Sequence, residues 1–212
     1  AEKVPVSYIA DGHHRSASAV RVGAERRAAN PGHHGNEEYN WFLSVIFPAS
    51  ELKILPYNRA VKDLNGLSPE DFLKEIRAIF TVTEGADPSP ASPRNISMYL
   101  GGTWYGLSWP EVKSSNPVDK LDVSTLQNGV LHPLLGIDDP RTNERIKFIG
   151  GIRGPGELVK LVDQKGFAVA FSMYPTTVDQ LMAIADAGQI MPPKSTWFEP
   201  KLRTGLLSHE LD

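Results

Sequence analysis

Apolar positions along the chain follow two kinds of pattern, which together predict both strands and helices. Continuous apolar runs, typical of short buried strands, occupy residues 4–10, 41–48 and 166–175. The segments between these runs carry apolar residues at helical spacing. Helices are predicted over residues 13–29, 67–80, 119–136, 154–164 and 176–189. Because strands and helices are interspersed, we expect an α+β, mixed α/β fold.

Local signals define two of these elements sharply. Ser68 is a good N-cap for the helix over 67–80, and Pro69 suits its first helical position. Residues 96–109 contain two strand-like runs around Gly101 and Gly102, which predicts a hairpin whose turn tolerates positive φ.

The Pro-rich segment 85–95 predicts a surface loop or a linker between two regions. We therefore expect a first region over residues 1–84 and a second mixed α+β region over residues 96–212. The run at 4–10 predicts a strand with almost nothing before it. Such a strand normally has upstream partners, so we expect that the N-terminal part of the full protein is absent here.

Composition limits the function classes. With 212 residues, of which 41% are hydrophobic and 22% charged, the chain can bury a proper core. No apolar run approaches the roughly 20 residues of a membrane span. The absence of cysteine excludes thiolate metal sites and suits a cytoplasmic location, and no motif indicates haem or flavin. A net charge of −3 argues against DNA as a partner.

The densest group of functional side chains lies in "DGHHR", which follows the first apolar run and opens the first helix. A helix N-terminus attracts phosphate, and Gly12 lets a ligand approach the backbone closely. Arg15 adds donors for phosphate, while His13 and His14 donate hydrogen bonds or move a proton near neutral pH. Asp11 can hold Mg²⁺ or orient a substrate hydroxyl.

The residues of this corner also fit two other interpretations. Asp11 and Gly12 can simply cap and turn the chain, with the histidines and Arg15 forming a polar surface. A zinc site is disfavoured, because adjacent histidines splay apart and the spacing fits no helical His pair. The histidines in question are His13, His14, His33 and His34.

Two further patches are candidates for binding an anion. Lys194, Ser195 and Thr196 have the residue types of a P-loop, but the glycines are missing and prolines precede them, so that motif fails. A rigid loop offering Lys194 and two hydroxyls to phosphate remains a candidate. Arg59, beside "ILPYN", is the third candidate, although a lone arginine is more often a surface or an ion-paired residue than a ligand.

The segments "YIADGHHR", "ILPYNRAV" and "LDVSTLQ", and above all the long block from "AFSMYP" to "KLRTGL", resemble a bacterial and archaeal family catalogued as domain of unknown function 1015. The DGHHR corner resembles the phosphate-binding signature of the ParB/sulfiredoxin superfamily, which includes free-serine kinases. The resemblance implies that Asp11 holds substrate or metal, and that residues 12–15 hold phosphate. The carboxylate proposed as catalytic in those kinases lies upstream of this motif.

The first functional hypothesis is a phosphotransferase that uses ATP or ADP with Mg²⁺ and acts on a small hydroxy amino acid such as serine. Its catalytic candidates are Asp11, His13 and His14. Its phosphate-binding candidates are Gly12, Arg15, Arg59, Lys194, Ser195 and Thr196. The alternatives are a ParB-like regulator associated with nucleotide or DNA, and a domain without a catalytic role. The expected partner is a small anionic or nucleotide ligand, and neither DNA nor a membrane is expected.

Overall fold

The computed structural model describes residues 4, 6–199, 201 and 209, which form two units. The terminal unit comprises Ala1–Lys53 and Phe198–Asp212, and the sheet unit comprises Ile54–Trp197. This division differs from the predicted boundary at residues 85–95. That segment is a surface loop connecting two strands of one sheet, so no unit boundary falls there.

The terminal unit contains α1 (His13–Ala29), a 17-residue helix that begins at the predicted residue. None of its residues is buried, and the predicted apolar side of the helix is exposed. The runs at 4–10 and 41–48 were predicted to be buried strands, and this is wrong for every described residue of either run. Both lack strand structure, and residues 41–48 are exposed. A strand needs a neighbouring strand to bond its backbone groups, and in the part of the chain that the structure describes neither run belongs to a sheet.

The sheet unit is built on a six-stranded antiparallel sheet with the strand order β3-β5-β4-β7-β2-β6. Its strands are β2 (Tyr57–Val61), β3 (Thr81–Glu84), β4 (Asn95–Leu100), β5 (Thr103–Ser108), β6 (Ile146–Gly150) and β7 (Val169–Met173). Two short strands, β1 (Lys53–Leu55) and β8 (Trp197–Glu199), form a separate sheet, and the division between the units falls within them. The mixed fold class is confirmed.

Helices cover both faces of the large sheet. On one face, α2 (Pro69–Ile79) and α3 (Asp122–Leu126), which continues as a π-helical turn over Gln127–Leu131, contribute to the main core. On the other face, α4 (Pro155–Lys165) packs Leu158 and Leu161 against the sheet. The last helix, α5 (Val178–Asp186), contributes Ile184 to the main core.

Several predicted local features are confirmed. The Ser68 hydroxyl accepts a hydrogen bond from the Asp71 backbone N–H at 3.1 Å, which caps α2. Gly101 and Gly102 both have positive φ in the hairpin between β4 and β5. The helix predicted over residues 119–136 is shorter, because the chain changes from α to π geometry at Gln127.

Within the residues that the structure describes, no helix has both the length and the apolar character needed to cross a membrane.

Candidate functional site

The N-terminus of α1 presents backbone N–H groups to which no side chain at the start of the helix is hydrogen-bonded. Gly12 precedes the helix with φ of 80°, in the left-handed region that glycine adopts readily. Among the described residues no side chain caps this end, and the first turn contains no acidic residue. The first N–H groups of the helix and its dipole therefore leave a partial positive charge at this corner.

Arg15 adds a full positive charge at the same corner. Its side chain folds back over Gly12, so that a Cβ at residue 12 would lie 3.2 Å from Nη2 and 3.3 Å from Nε. Glycine is thus favoured here by its positive φ, and the exposed Arg15 side chain lies directly against it. His13, His14 and Arg15 are all exposed, and an anion can reach them from solvent.

Asp11 has a partner that the sequence did not reveal. The Lys201 ammonium donates a hydrogen bond to its carboxylate at 3.3 Å, and the Gly12 backbone N–H donates to the other carboxylate oxygen at 3.0 Å. Nowhere among the described residues do three or more His, Asp or Glu side chains gather in a way that would hold a metal ion. Asp11 therefore fits Mg²⁺ only as one carboxylate ligand of an ion that phosphate groups also bind.

Arg59 lies in β2 of the sheet unit and is only 4% exposed. It donates to the Tyr57 carbonyl, and its Nη2 donates to the Lys194 carbonyl at 3.1 Å. Its guanidinium carbon lies 5.4 Å from the centre of the Phe148 ring. Burial lowers the pKa of Arg59 to about 10, so the guanidinium is still charged at neutral pH. The interpretation of Arg59 as a surface or ion-paired residue is not what the structure shows.

The 194–196 loop is held in place by Arg59 and by its own hydrogen bonds. Lys194 has φ of 55°, and its ammonium lies 5.6 Å from the centre of the Tyr57 ring. The buried Ser195 hydroxyl donates to the Pro192 carbonyl at 2.6 Å, and the Ser195 carbonyl accepts from Thr176 at 3.1 Å. The Ser195 hydroxyl thus braces the loop, and Thr196 beside it is half-buried.

A cavity of about 440 Å³ lies in the sheet unit beside Arg59. Its volume is within the range of small-molecule sites. The π-helical turn, the loop around residues 138–141, Phe148 and two prolines contribute to its walls. The polar lining residues include Arg59, Asp119, Gln127, Asp138, Asp139 and Arg141. Apart from Arg59, sequence reasoning missed these residues, because segments far apart in the chain bring them together.

The predicted site residues therefore fall into two groups. Residues 11–15 lie together in the terminal unit, whereas Arg59 and residues 194–196 lie together in the sheet unit. From the sequence, Arg59 and the 194–196 loop were predicted as two separate patches. The hydrogen bond from Arg59 to the Lys194 carbonyl unites them.

Asp122, the first residue of α3, is buried and carries a perturbed carboxyl. Its carboxylate accepts hydrogen bonds from the Arg94 backbone N–H at 3.0 and 3.1 Å. Burial raises its pKa from 3.8 to about 6, although these hydrogen bonds oppose the change. The folded protein therefore retains a proton on Asp122 at pH values where the unfolded chain has lost it.

This shift predicts that the contribution of Asp122 to stability falls as the pH rises from about 4 to about 6. The expected loss of unfolding free energy is on the order of 2 kcal/mol. Asp122→Asn should flatten this part of the pH profile, which urea unfolding across that range would measure. Asp119→Asn, at an exposed position, is the matched control. Equal slopes for the wild type and Asp122→Asn would contradict the prediction.

The chain belongs to the family described as a protein of unknown function (DUF1015), whose family model matches residues 1–124. The matched residues include the DGHHR corner and "ILPYNRAV", and the block beginning "AFSMYP" lies beyond them. No functionally curated protein matches the chain.

Among solved structures, the fold is similar to that of a glutamate-to-glutamine variant of a free serine kinase in complex with AMP. That match has a TM-score of 0.50 and 16% identity, and covers 92% of this chain and 70% of the other. Free serine kinase in complex with AMP matches with a TM-score of 0.47 and 13% identity, over 90% of this chain and 66% of the other. A conserved hypothetical protein from Pyrococcus furiosus matches with a TM-score of 0.41 and 13% identity, over 90% and 68%. The first match shows a shared fold.

Proposed function

We propose that this protein binds an adenine nucleotide through the N-terminus of α1 and transfers a phosphoryl group to a small hydroxy amino acid such as serine. The observation that carries the proposal is the uncapped start of α1 with the Arg15 guanidinium folded over Gly12. The fold shared with a free serine kinase bound to AMP supports it. The chemistry also fits, because phosphoryl transfer depends mostly on positioning and charge neutralisation.

Each residue of the corner has a role in this proposal. The first N–H groups of α1 and the Arg15 guanidinium bind phosphate oxygens and neutralise their charge. Asp11 orients the acceptor hydroxyl, and His13 or His14 takes the proton that this hydroxyl loses. The phosphoryl group passes from the nucleotide to the hydroxyl oxygen, and the shortened nucleotide leaves. Mg²⁺ bound to the phosphates would neutralise further charge, with Asp11 as its protein ligand.

The binding step is tested with Arg15→Ala. Removing a charge-assisted hydrogen bond to phosphate should raise the Kd for ADP about 10- to 100-fold, as measured by calorimetry. Arg21→Ala is the matched control, because Arg21 lies on the same helix, has a 73% exposed side chain and pairs with Glu25. The proposal is wrong if Arg15→Ala binds ADP as tightly as Arg21→Ala does, or if the wild type binds no nucleotide.

The transfer step needs a separate measurement. With ATP or ADP, Mg²⁺ and serine, phosphorus NMR should show phosphoserine forming as the nucleotide is consumed. Alanine is the control substrate, since it lacks only the hydroxyl that accepts the phosphoryl group. Asp11→Asn should lower the rate about 100-fold, because an acceptor hydroxyl that is no longer oriented loses the geometry needed for attack. Nucleotide consumption that does not depend on the hydroxyl would contradict transfer to serine.

A further inference from the structure

Arg59 is a buried charge with no carboxylate partner among the described residues. A buried cation is normally paired, because desolvating it costs several kcal/mol. Two of its five N–H donors serve the carbonyls of Tyr57 and Lys194, and the Phe148 ring faces the guanidinium. Carbonyl dipoles and an aromatic ring compensate a full charge only in part. Arg59 therefore retains both donors and charge for an anionic group.

The cavity that Arg59 lines offers a place for that group. Its volume of about 440 Å³ suits a small molecule, and its apolar walls include Phe148, Pro192 and Pro193. Gln127 and Leu131, which also line it, belong to the π-helical turn. Such turns occur frequently at functional sites.

The other charges around the cavity indicate what kind of anion fits. Asp139 and Arg141 pair with each other at 2.7 Å, so their charges cancel locally. Asp119 and Asp138 also line the cavity, and both are exposed. Asp119 accepts a hydrogen bond from Ser114, and Asp138 contacts a His132 ring nitrogen at 2.7 Å. A polyanion such as a nucleotide would meet these carboxylates, whereas a ligand with a positive end would be attracted by them.

We infer that this cavity binds a small zwitterion of the α-amino-acid class. Its carboxylate pairs with the Arg59 guanidinium, and its ammonium lies on the side of Asp119 and Asp138. This arrangement neutralises the buried cation and uses the excess negative charge of the cavity. The inference does not depend on nucleotide binding at α1, because every residue in it belongs to the sheet unit.

The first test compares the binding of different ligands to the wild-type protein in the absence of nucleotide. Free α-amino acids, their C-terminal amides and their N-acetyl derivatives are titrated by calorimetry. At least one free amino acid should bind, and its amide and N-acetyl forms should each bind about tenfold more weakly or worse, because each lacks one charged group. The inference is overturned if no free amino acid binds, or if the amide binds equally well.

Variants then assign the binding to this cavity. Arg59→Gln should abolish the preference for the free carboxylate over the amide. Asp138→Asn should weaken binding of the free amino acid several-fold and leave binding of the N-acetyl form unchanged. Because Asp138 is exposed, this substitution should not disturb the fold. Glu75→Gln, exposed on α2 and outside the cavity lining, is the control. If Asp138→Asn and Glu75→Gln bind alike, the assignment is wrong even when the chain binds amino acids.

Titration of the wild type with ADP separates the two proposals. Amino-acid binding without ADP binding removes the proposed function and leaves this inference standing. ADP binding without amino-acid binding removes this inference and leaves nucleotide binding at α1 standing, while the phosphorus NMR experiment tests transfer to serine by itself.

Discussion

Replacing Phe171 by alanine is expected to lower the free energy of unfolding by about 3–5 kcal/mol. Phe171 is 0% exposed and lies in β7, between β2 and β4. It pairs with Arg59 on one side and with Met98 on the other, so the lost ring would leave a cavity that three strands surround. Folded domains are stable by only about 5–15 kcal/mol, so the variant should unfold at much lower urea concentration, as followed by circular dichroism.

The matched control is the same substitution at an exposed phenylalanine. Phe42 lies in the run 41–48 and is 51% exposed. Phe42→Ala should therefore change the unfolding free energy by no more than about 0.5 kcal/mol. A loss as large as that of Phe171→Ala would mean that this run is buried in solution, as its apolar sequence predicted.

The elements that the sequence predicted well are those with local causes. The start of α2 follows from Ser68 and Pro69, and the hairpin turn follows from two glycines with positive φ. The start of α1 after Gly12 also has a local cause, since glycine readily adopts the left-handed conformation found there. Each of these features depends on a few neighbouring residues, so a single sequence contains the necessary information.

The runs at 4–10 and 41–48 show that a local apolar pattern cannot decide whether a segment pairs into a sheet. Their apolar residues fit a buried strand, but a strand also needs a neighbour that bonds its backbone groups. Hydrophobicity does not identify that neighbour. The same limit applies to the helix predicted over 119–136, where the change to π geometry at Gln127 depends on tertiary packing rather than on spacing.

The candidate sites show the same difference between features with local causes and features that depend on distant residues. The corner at residues 11–15 was recognisable because its groups are adjacent in the sequence. The contact between Arg59 and the Lys194 carbonyl joins positions 135 residues apart, and a lone arginine carries no sign that it is buried. The partner of Asp11 was missed for the same reason, because Lys201 is separated from it by 190 residues.

Gly150→Ala is expected to destabilise the sheet unit by about 3 kcal/mol, through overpacking. A Cβ at this position would lie 2.5 Å from Cε3 and 2.9 Å from Cη2 of Trp197, closer than carbon atoms approach each other. The indole is a rigid ring that also packs edge-on against Tyr57, with ring centres 5.3 Å apart. Because Trp197 directly follows Thr196, a shift of the indole would also disturb the 194–196 loop that Arg59 holds. Urea unfolding and tryptophan fluorescence measure the two effects.

Two comparisons isolate the clash. Gly156→Ala, in α4, places a Cβ with no neighbour within 4 Å, so it should raise stability by about 0.5–1 kcal/mol through the better helix propensity of alanine. In a Trp197→Ala background the indole is gone, and Gly150→Ala should then cost far less than it does alone. The coupling between the two substitutions should amount to about 2 kcal/mol, at the upper part of the range for residues in contact. If Gly150→Ala lowers the free energy of unfolding equally with and without the indole, the strain arises elsewhere in β6. The small size of Gly150 would then not be what allows Trp197 to pack beside the loop.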